Sequence, residues 1–301
     1  MTIGQSETAG QEATAEAASA RGERTGLLAV VTAVTMFSSG PIIIKFVELS
    51  PAVLSLIRLL IGGLVLGAVG LVVGIRWPRP QWVALLLAGL AFGGHQVAFI
   101  SAVQHTSVAI VTLLVATQPL LVAFVSQPLL GEAVPRRLFL CSVVALTGVA
   151  VVLSGSLDHG SHSWWGDLWA LANLGVWTAY FVLAKRIRTA GVSTLSFTVA
   201  MMWLALLVVV PLLLFESTGG LPTSSDWLLI ALVALGPGNG HLLLNWAHPR
   251  VRAALSSLAL TLVPVLSSLW AWLALGEPYT IRHVGGMALV IVAVEWGRRC
   301  R

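Results

Sequence analysis

Apolar residues run along this chain in long stretches, interrupted by short clusters of Pro, Gly, Ser, Asp and Arg. A helix that crosses a bilayer needs about 20 apolar residues at about 1.5 Å rise each. On that scale the stretches predict ten transmembrane helices, near 26–45, 51–74, 81–103, 107–130, 137–154, 164–184, 195–215, 227–246, 252–275 and 280–297. Proline breaks mark several starts, notably Ser50-Pro51 and Pro78-Arg79-Pro80, because proline's fixed φ and missing donor cost least in a first turn. Small residues four apart, at Gly63/Gly67, Gly70/Gly74 and Gly89/Gly93, let helix backbones approach closely. The fold class is therefore all-α, a polytopic integral membrane protein. Residues 1–25 have neither the basic start nor the apolar core of a signal peptide and read as a disordered cytosolic tail.

Composition supports this pattern: 57% of the 301 residues are hydrophobic and 10% are charged, against about 25% charged in a soluble domain. The net charge of +5 would suggest nucleic acid if it were clustered on a polar domain. It is spread instead over alternate loops. Arg21 and Arg24 precede the first span; Arg76 and Arg79 follow the second, Arg136 and Arg137 the fourth, and Lys185, Arg186 and Arg188 the sixth. Arg250 and Arg252 follow the eighth, and Arg298, Arg299 and Arg301 end the chain, so fourteen basic residues fall on one side. Arg282 and Lys45 belong to the opposite side. By the positive-inside rule both termini are cytosolic, which fits a protein of the cell (inner or plasma) membrane with the lipid bilayer as its partner and no nucleic acid. Trp77, Trp82, Trp164, Trp165, Trp227 and Trp296 sit at span ends, as an interfacial belt requires. Cys141 and Cys300 read as two free thiols.

A shift of 145 positions lays Ser107–Ala150 over Arg252–Glu295 without a gap. Pro119 meets Pro264, Leu130-Gly131-Glu132 meets Leu275-Gly276-Glu277, and Arg137 meets Arg282. Ala109, Leu113, Leu121 and Val149 also meet identical residues. The chain thus divides into two five-helix repeats, 26–155 and 156–301, and because five is odd the second enters the membrane inverted. Inverted repeats are typical of secondary transporters, whose substrate site lies near the midplane between the halves.

The segments SVAIVTLLVATQPLLVAFVSQPLLGEAVPRRLFLCSVVALTGVAVVL and AALSSLALTLVPVLSSLWAWLALGEPYTIRHVGGMALVIVAV resemble the closing two spans of EamA-type repeats, of the drug/metabolite transporter (DMT) superfamily. Looser matches are Arg58 after Ser50-Pro51, the Gly-Asp-Leu-Trp-Ala start at 166–170, and Trp177 with Tyr180. The resemblance implies a ten-helix carrier with both ends in the cytosol, a central cavity between the halves, and export of small metabolites such as amino acids.

A polar side chain in hydrocarbon is costly unless it faces a partner or a wet cavity, so intramembrane polar residues point to the pathway. Ser38-Ser39-Gly40-Pro41 in the first span suggests a bent helix exposing backbone groups. The third span carries His95, Gln96 and Phe99, and the eighth reads Gly236-Pro237-Gly238-Asn239-Gly240-His241. Under the 145 shift Gly94 meets Asn239 and Gln96 meets His241, and Gly-Pro-Gly predicts an irregular stretch that lines a cavity. Gln118 precedes Pro119, and Asn173, Trp177 and Tyr180 share one helix face, where an amide and two aromatic groups could hold a zwitterion or a ring. The candidate substrate-binding set is therefore Ser38, His95, Gln96, Phe99, Gln118, Asn173, Trp177, Tyr180, Asn239 and His241. Arg58, about seven residues into the second span, could bind a carboxylate, but pairing with Glu48 or snorkelling is favoured. Glu132 and Glu277, beside glycines at turns, read as capping or loop-pairing residues.

No GxxxxGK[ST], HExxH or CxxC motif occurs, so the chain is read as no enzyme, with no metal or cofactor and no ATP drive of its own. The first reading is a secondary exporter of a small neutral or zwitterionic metabolite, foremost an amino acid. Two alternatives remain: a carrier of phosphorylated or nucleotide-sugar substrates, which would need several cavity cations, and a non-transporting membrane sensor or scaffold. His95 and His241 are protonatable, but proton exchange, substrate exchange and facilitated diffusion stay open. No oligomer is required.

Overall fold

The computed structural model describes residues 3–75, 81–154, 163–216, 222–276 and 279–300, and within them every regular element is an α-helix. In chain order these are α1 (Ile3–Lys45), α2 (Pro51–Val73), α3 (Trp82–His105), α4 (Val108–Val115), α5 (Gln118–Leu130), α6 (Arg136–Leu153) and α7 (Trp164–Thr189). They are followed by α8 (Thr194–Leu212), α9 (Ser224–Leu235), α10 (Pro237–Ala247), α11 (Ala253–Leu260), α12 (Leu262–Leu275) and α13 (Ile281–Arg299). The expected spans reappear within a few residues, three of them as helix pairs: α4–α5, α9–α10 and α11–α12. Nine segments among the described residues are long and apolar enough to cross a membrane. The tenth expected span is α13, which carries Arg282, Glu295, Arg298 and Arg299 within 19 residues. Helix α1 begins at Ile3, whereas 1–25 was expected as a disordered tail; the extension is rich in Ala and Glu, good helix formers, and the apolar span starts at Ala20. Arg76, Trp77, the Pro78-Arg79-Pro80 break, Glu277 and Arg301 lie outside the described residues.

Helix ends follow local chemistry. Ser50 and Ser193 accept the backbone N–H of Val53 and Ser196, and Thr223 with Asp226 forms a reciprocal capping box at α9. Gly131 and Gly276 close α5 and α12 at φ 69° and 68°, the left-handed region a side chain would disfavour, so the two glycines that the 145 shift aligns share one backbone conformation. The helix pairs α4–α5 and α11–α12 each break just before a proline, Pro119 and Pro264. There Thr117 and Thr261 each donate a hydroxyl to the carbonyl three residues back, at 2.6 Å, which satisfies part of the interrupted ladder.

The core is made by crossing the two sequence halves. Helix α1 packs on α10 and α12, α2 on α8, α3 on α7 and α8, α5 on α11, and α6 on α13. Close approaches rely on glycine: a Cβ on Gly89 would stand 2.4 Å from Leu204 Cβ, and one on Gly93 2.5 Å from the Ala205 carbonyl. Outward faces are apolar, with Leu71, Val72 and Leu214 exposed, and Trp82, Trp164, Trp165, Trp227 and Trp296 exposed at helix ends. That inversion of the soluble pattern is what a hydrocarbon solvent allows.

The two ends of the bundle differ. At one, Lys185 Nζ bonds Glu132 Oε1 (2.8 Å) and the carbonyls of His248 (2.6 Å) and Val251 (2.7 Å), while Glu132 Oε2 accepts the first backbone N–H of α11 at Ala253 (2.7 Å). Glu132 thus both caps and pairs. Arg252 donates to the Cys300 carbonyl, and Gly26 lies against Arg250 and Val251, so basic residues from several loops gather there. At the other end Lys45 donates to the Thr106 carbonyl (3.1 Å), Thr106 Oγ1 donates to Asp167 (2.9 Å), and Arg282 reaches the Ser154 carbonyl (3.4 Å). Cys141 and Cys300 are free thiols.

Candidate functional site

Between these ends the crossing helices enclose a cavity of about 620 Å³ of non-atom space, openings included. Its walls come from both sequence halves: Phe37 and Gly40 of α1, Arg58 of α2, His95, Gln96 and Phe99 of α3, Asn173 and Trp177 of α7, and Pro237 and His241 of α10. Helix α1 and α10 meet at Gly40, where a Cβ would stand 3.3 Å from Pro237 Cγ. The position exists because the eighth span breaks at Gly236 (ψ −94°) and restarts at Pro237, whose missing N–H needs no acceptor in a first turn. Val115 and Leu260, equivalent under the 145 shift, both line the cavity, as do Gln96 and His241.

Aromatic rings pack around the polar groups. The His95 ring lies 4.5 Å from Trp177 at 34°, and His241 sits 4.8 Å from both Phe37 and Phe92 and 5.8 Å from His95. His95 Nδ1 donates to Asn173 Oδ1 at 2.7 Å, the amide oxygen having only lone pairs to offer. Beside that bond several buried donors meet no protein acceptor: Arg58 Nε and Nη1, Asn173 Nδ2 and Trp177 Nε1. His241 Nδ1 is likewise unpartnered. Buried polar groups are usually satisfied, so a cluster of such atoms facing one cavity needs an explanation. Arg58 is also the one Lys, Arg, Asp or Glu among the lining residues.

The sequence expectations separate here. His95, Gln96, Phe99, Asn173, Trp177 and His241 come together on the cavity. Asn239 borders a smaller adjoining space with Arg58, Gln96 and His241, although its own Nδ2 donates to the Leu235 carbonyl (2.8 Å). Ser38 does not line the cavity: its hydroxyl donates to Thr35 O and accepts from Trp270 Nε1 (2.9 Å), and its carbonyl accepts from Ser267 (2.8 Å). Helix α1 continues through Pro41, and Ser38 is used in packing against α12. Tyr180 is also turned away, donating to Asn245 Oδ1 (2.8 Å), which in turn donates to Thr198 (3.1 Å). Gln118 is buried at the start of α5 with its amide unpartnered, outside the cavity lining.

Arg58 departs from its favoured reading. It is 7% exposed, makes no ion pair among the described residues and lines the cavity, whereas Glu48 is exposed. Its depth in the span was the available signal; the face it takes depends on helix rotation. Phe37 gave no signal, because an apolar residue inside an apolar span looks like packing.

An all-helical membrane bundle with a central cavity between two crossed halves belongs among transport proteins. The EamA-like transporter family model matches this chain twice, over residues 24–154 and 164–295, and the chain belongs to that family. It is 23% identical over 281 residues to the pseudopaline exporter CntI of Pseudomonas aeruginosa (strain UCBPP-PA14), covering 91% of this chain and 96% of that one. To a protein named probable terminal-alkyne amino-acid exporter, from Streptantibioticus cattleyicolor, it is 26% identical, covering 88% and 90%. It is also 26% identical to the uncharacterized transporter YetK of Bacillus subtilis (strain 168) over 63% of this chain and 59% of that protein. A solved crystal structure superposes with a TM-score of 0.74 at 24% identity, covering 91% of this chain and 97% of its own. The protein is thus an integral membrane transporter of the DMT type, and these names indicate transport rather than catalysis.

Proposed function

We propose that the chain is a secondary exporter that moves a small neutral or zwitterionic metabolite, foremost an amino acid, by alternating access. The observation that carries this reading is the central cavity, built from both halves and bordered by buried donors without protein partners. Such atoms are costly in a permanently dry core, and a transported solute compensates them each time it binds. The double family match and the paired breaks at Thr117 and Thr261 support two inverted repeats of five helices, whose rocking would expose the cavity to each side in turn. Clustering of Lys185, Arg250 and Arg252 at one end supports cytosolic termini in a cell membrane. The name of one of the two exporters above, a probable terminal-alkyne amino-acid exporter, favours an amino-acid solute. A single cavity cation gives no support to phosphorylated substrates, which would call for several.

Flux into proteoliposomes, measured over an amino-acid panel, tests the reading. Saturable flux of at least one member is expected, and absence of saturable flux for every solute tried would remove it.

A further inference from the structure

Resting on the carrier reading above, we infer that Arg58 is the anchor for a substrate carboxylate, and that the substrate class is a monocarboxylate whose apolar or aromatic body lies against Phe37, Phe99 and Trp177. Two independent features point there. First, the guanidinium is more than nine-tenths buried, lines both the main cavity and the adjoining space, and leaves Nε and Nη1 without a protein acceptor. The guanidinium keeps its charge and has no ion pair among the described residues, and an unpaired buried cation gains most from an anionic partner such as a carboxylate. Second, no Asp or Glu among the described residues lines the cavity, so no described negative charge offsets Arg58 there, and an obligate cation entering it would meet repulsion.

The remaining groups complete the assignment. Trp177 Nε1 and Asn173 Nδ2 are additional donors, suited to oxygens of the solute, while Gln96 supplies an amide oxygen that can accept from an ammonium. A zwitterion is therefore accepted through its carboxylate, with its amine read by a neutral acceptor. A dianionic phosphate would face one cation only, so the charge at the site fits one negative group.

The test uses the full chain. Thermal unfolding of the detergent-purified protein is followed with L-phenylalanine, 3-phenylpropionate, phenylalaninamide and phenethylamine, and the same four compete against the amino acid that gives flux in proteoliposomes. Both carboxylates are expected to raise the unfolding midpoint and to compete about 100-fold better than the amide and the amine. Arg58→Gln should abolish that preference, and Arg58→Lys should keep it with weaker binding. Equal competition by amide and acid, with flux intact, would overturn the inference and leave the carrier reading standing. Absence of flux together with a midpoint shift specific to the acids would support the carboxylate site and remove the carrier. Neither flux nor any acid-specific shift would overturn both.

Discussion

Two buried cations in this bundle have opposite surroundings. Lys185 is 3% exposed and uses three donors on three oxygens, one from Glu132 and two from backbone carbonyls of the segment between α10 and α11. Arg58, 7% exposed, has an ion pair with no described residue, leaves Nε and Nη1 without a protein acceptor and lines the cavity. A fully bonded buried charge holds elements in place, whereas an unbonded one lowers the stability of its own fold and persists where something else requires it. Lys185 therefore ties the two halves together at one end, and Arg58 serves the solute pathway.

The sharpest way to break that contrast is flux. Arg58→Gln should reduce proteoliposome flux about 100-fold, equivalent to about 2.7 kcal/mol, with membrane abundance maintained. Near-normal flux would return Arg58 to a structural role. Stability should show the reverse order: Lys185→Met strands Glu132 and should cost about 3–5 kcal/mol in detergent unfolding, whereas Arg58→Gln should be neutral or stabilising. Adding Glu132→Leu to Lys185→Met should recover part of the loss, and full additivity of the two changes would show that they do not act as a pair.

Smaller effects are expected beyond these two. His241→Ala and Asn173→Ala should each lower flux about 10-fold, a loss of about 1.4 kcal/mol, without lowering membrane abundance, since both line the cavity. Unchanged flux in both would remove these residues from the pathway. Tyr180→Phe should leave solute affinity unchanged and cost about 1 kcal/mol of stability, because its hydroxyl is spent on Asn245.

The spans were legible because hydrocarbon thickness and the absence of water fix both the length and the polarity of a crossing helix. The break at Gly236-Pro237 was legible for a local reason, glycine and proline adjoining inside an apolar run. One polar pair of the cavity followed from repetition: Gln96 and His241 are equivalent positions, and both line it. Direction was not legible. Polar groups in spans can face a helix or a cavity with equal compensation, and Ser38 and Tyr180 face helices through Trp270 and Asn245. Arg58 was recognised by depth, but the face it takes depends on how α2 rotates against α3 and α8, a tertiary choice that no single span encodes.

The most direct test of the account is ligand-linked stability in the two cation variants. The unfolding midpoint of purified Lys185→Met and Arg58→Gln protein is measured with and without a saturating concentration of the amino acid that gives flux. A bound ligand raises the midpoint only where its site survives. The account predicts that the solute stabilises Lys185→Met and leaves Arg58→Gln unshifted. Stabilisation of Arg58→Gln to the wild-type extent, with none in Lys185→Met, would contradict it.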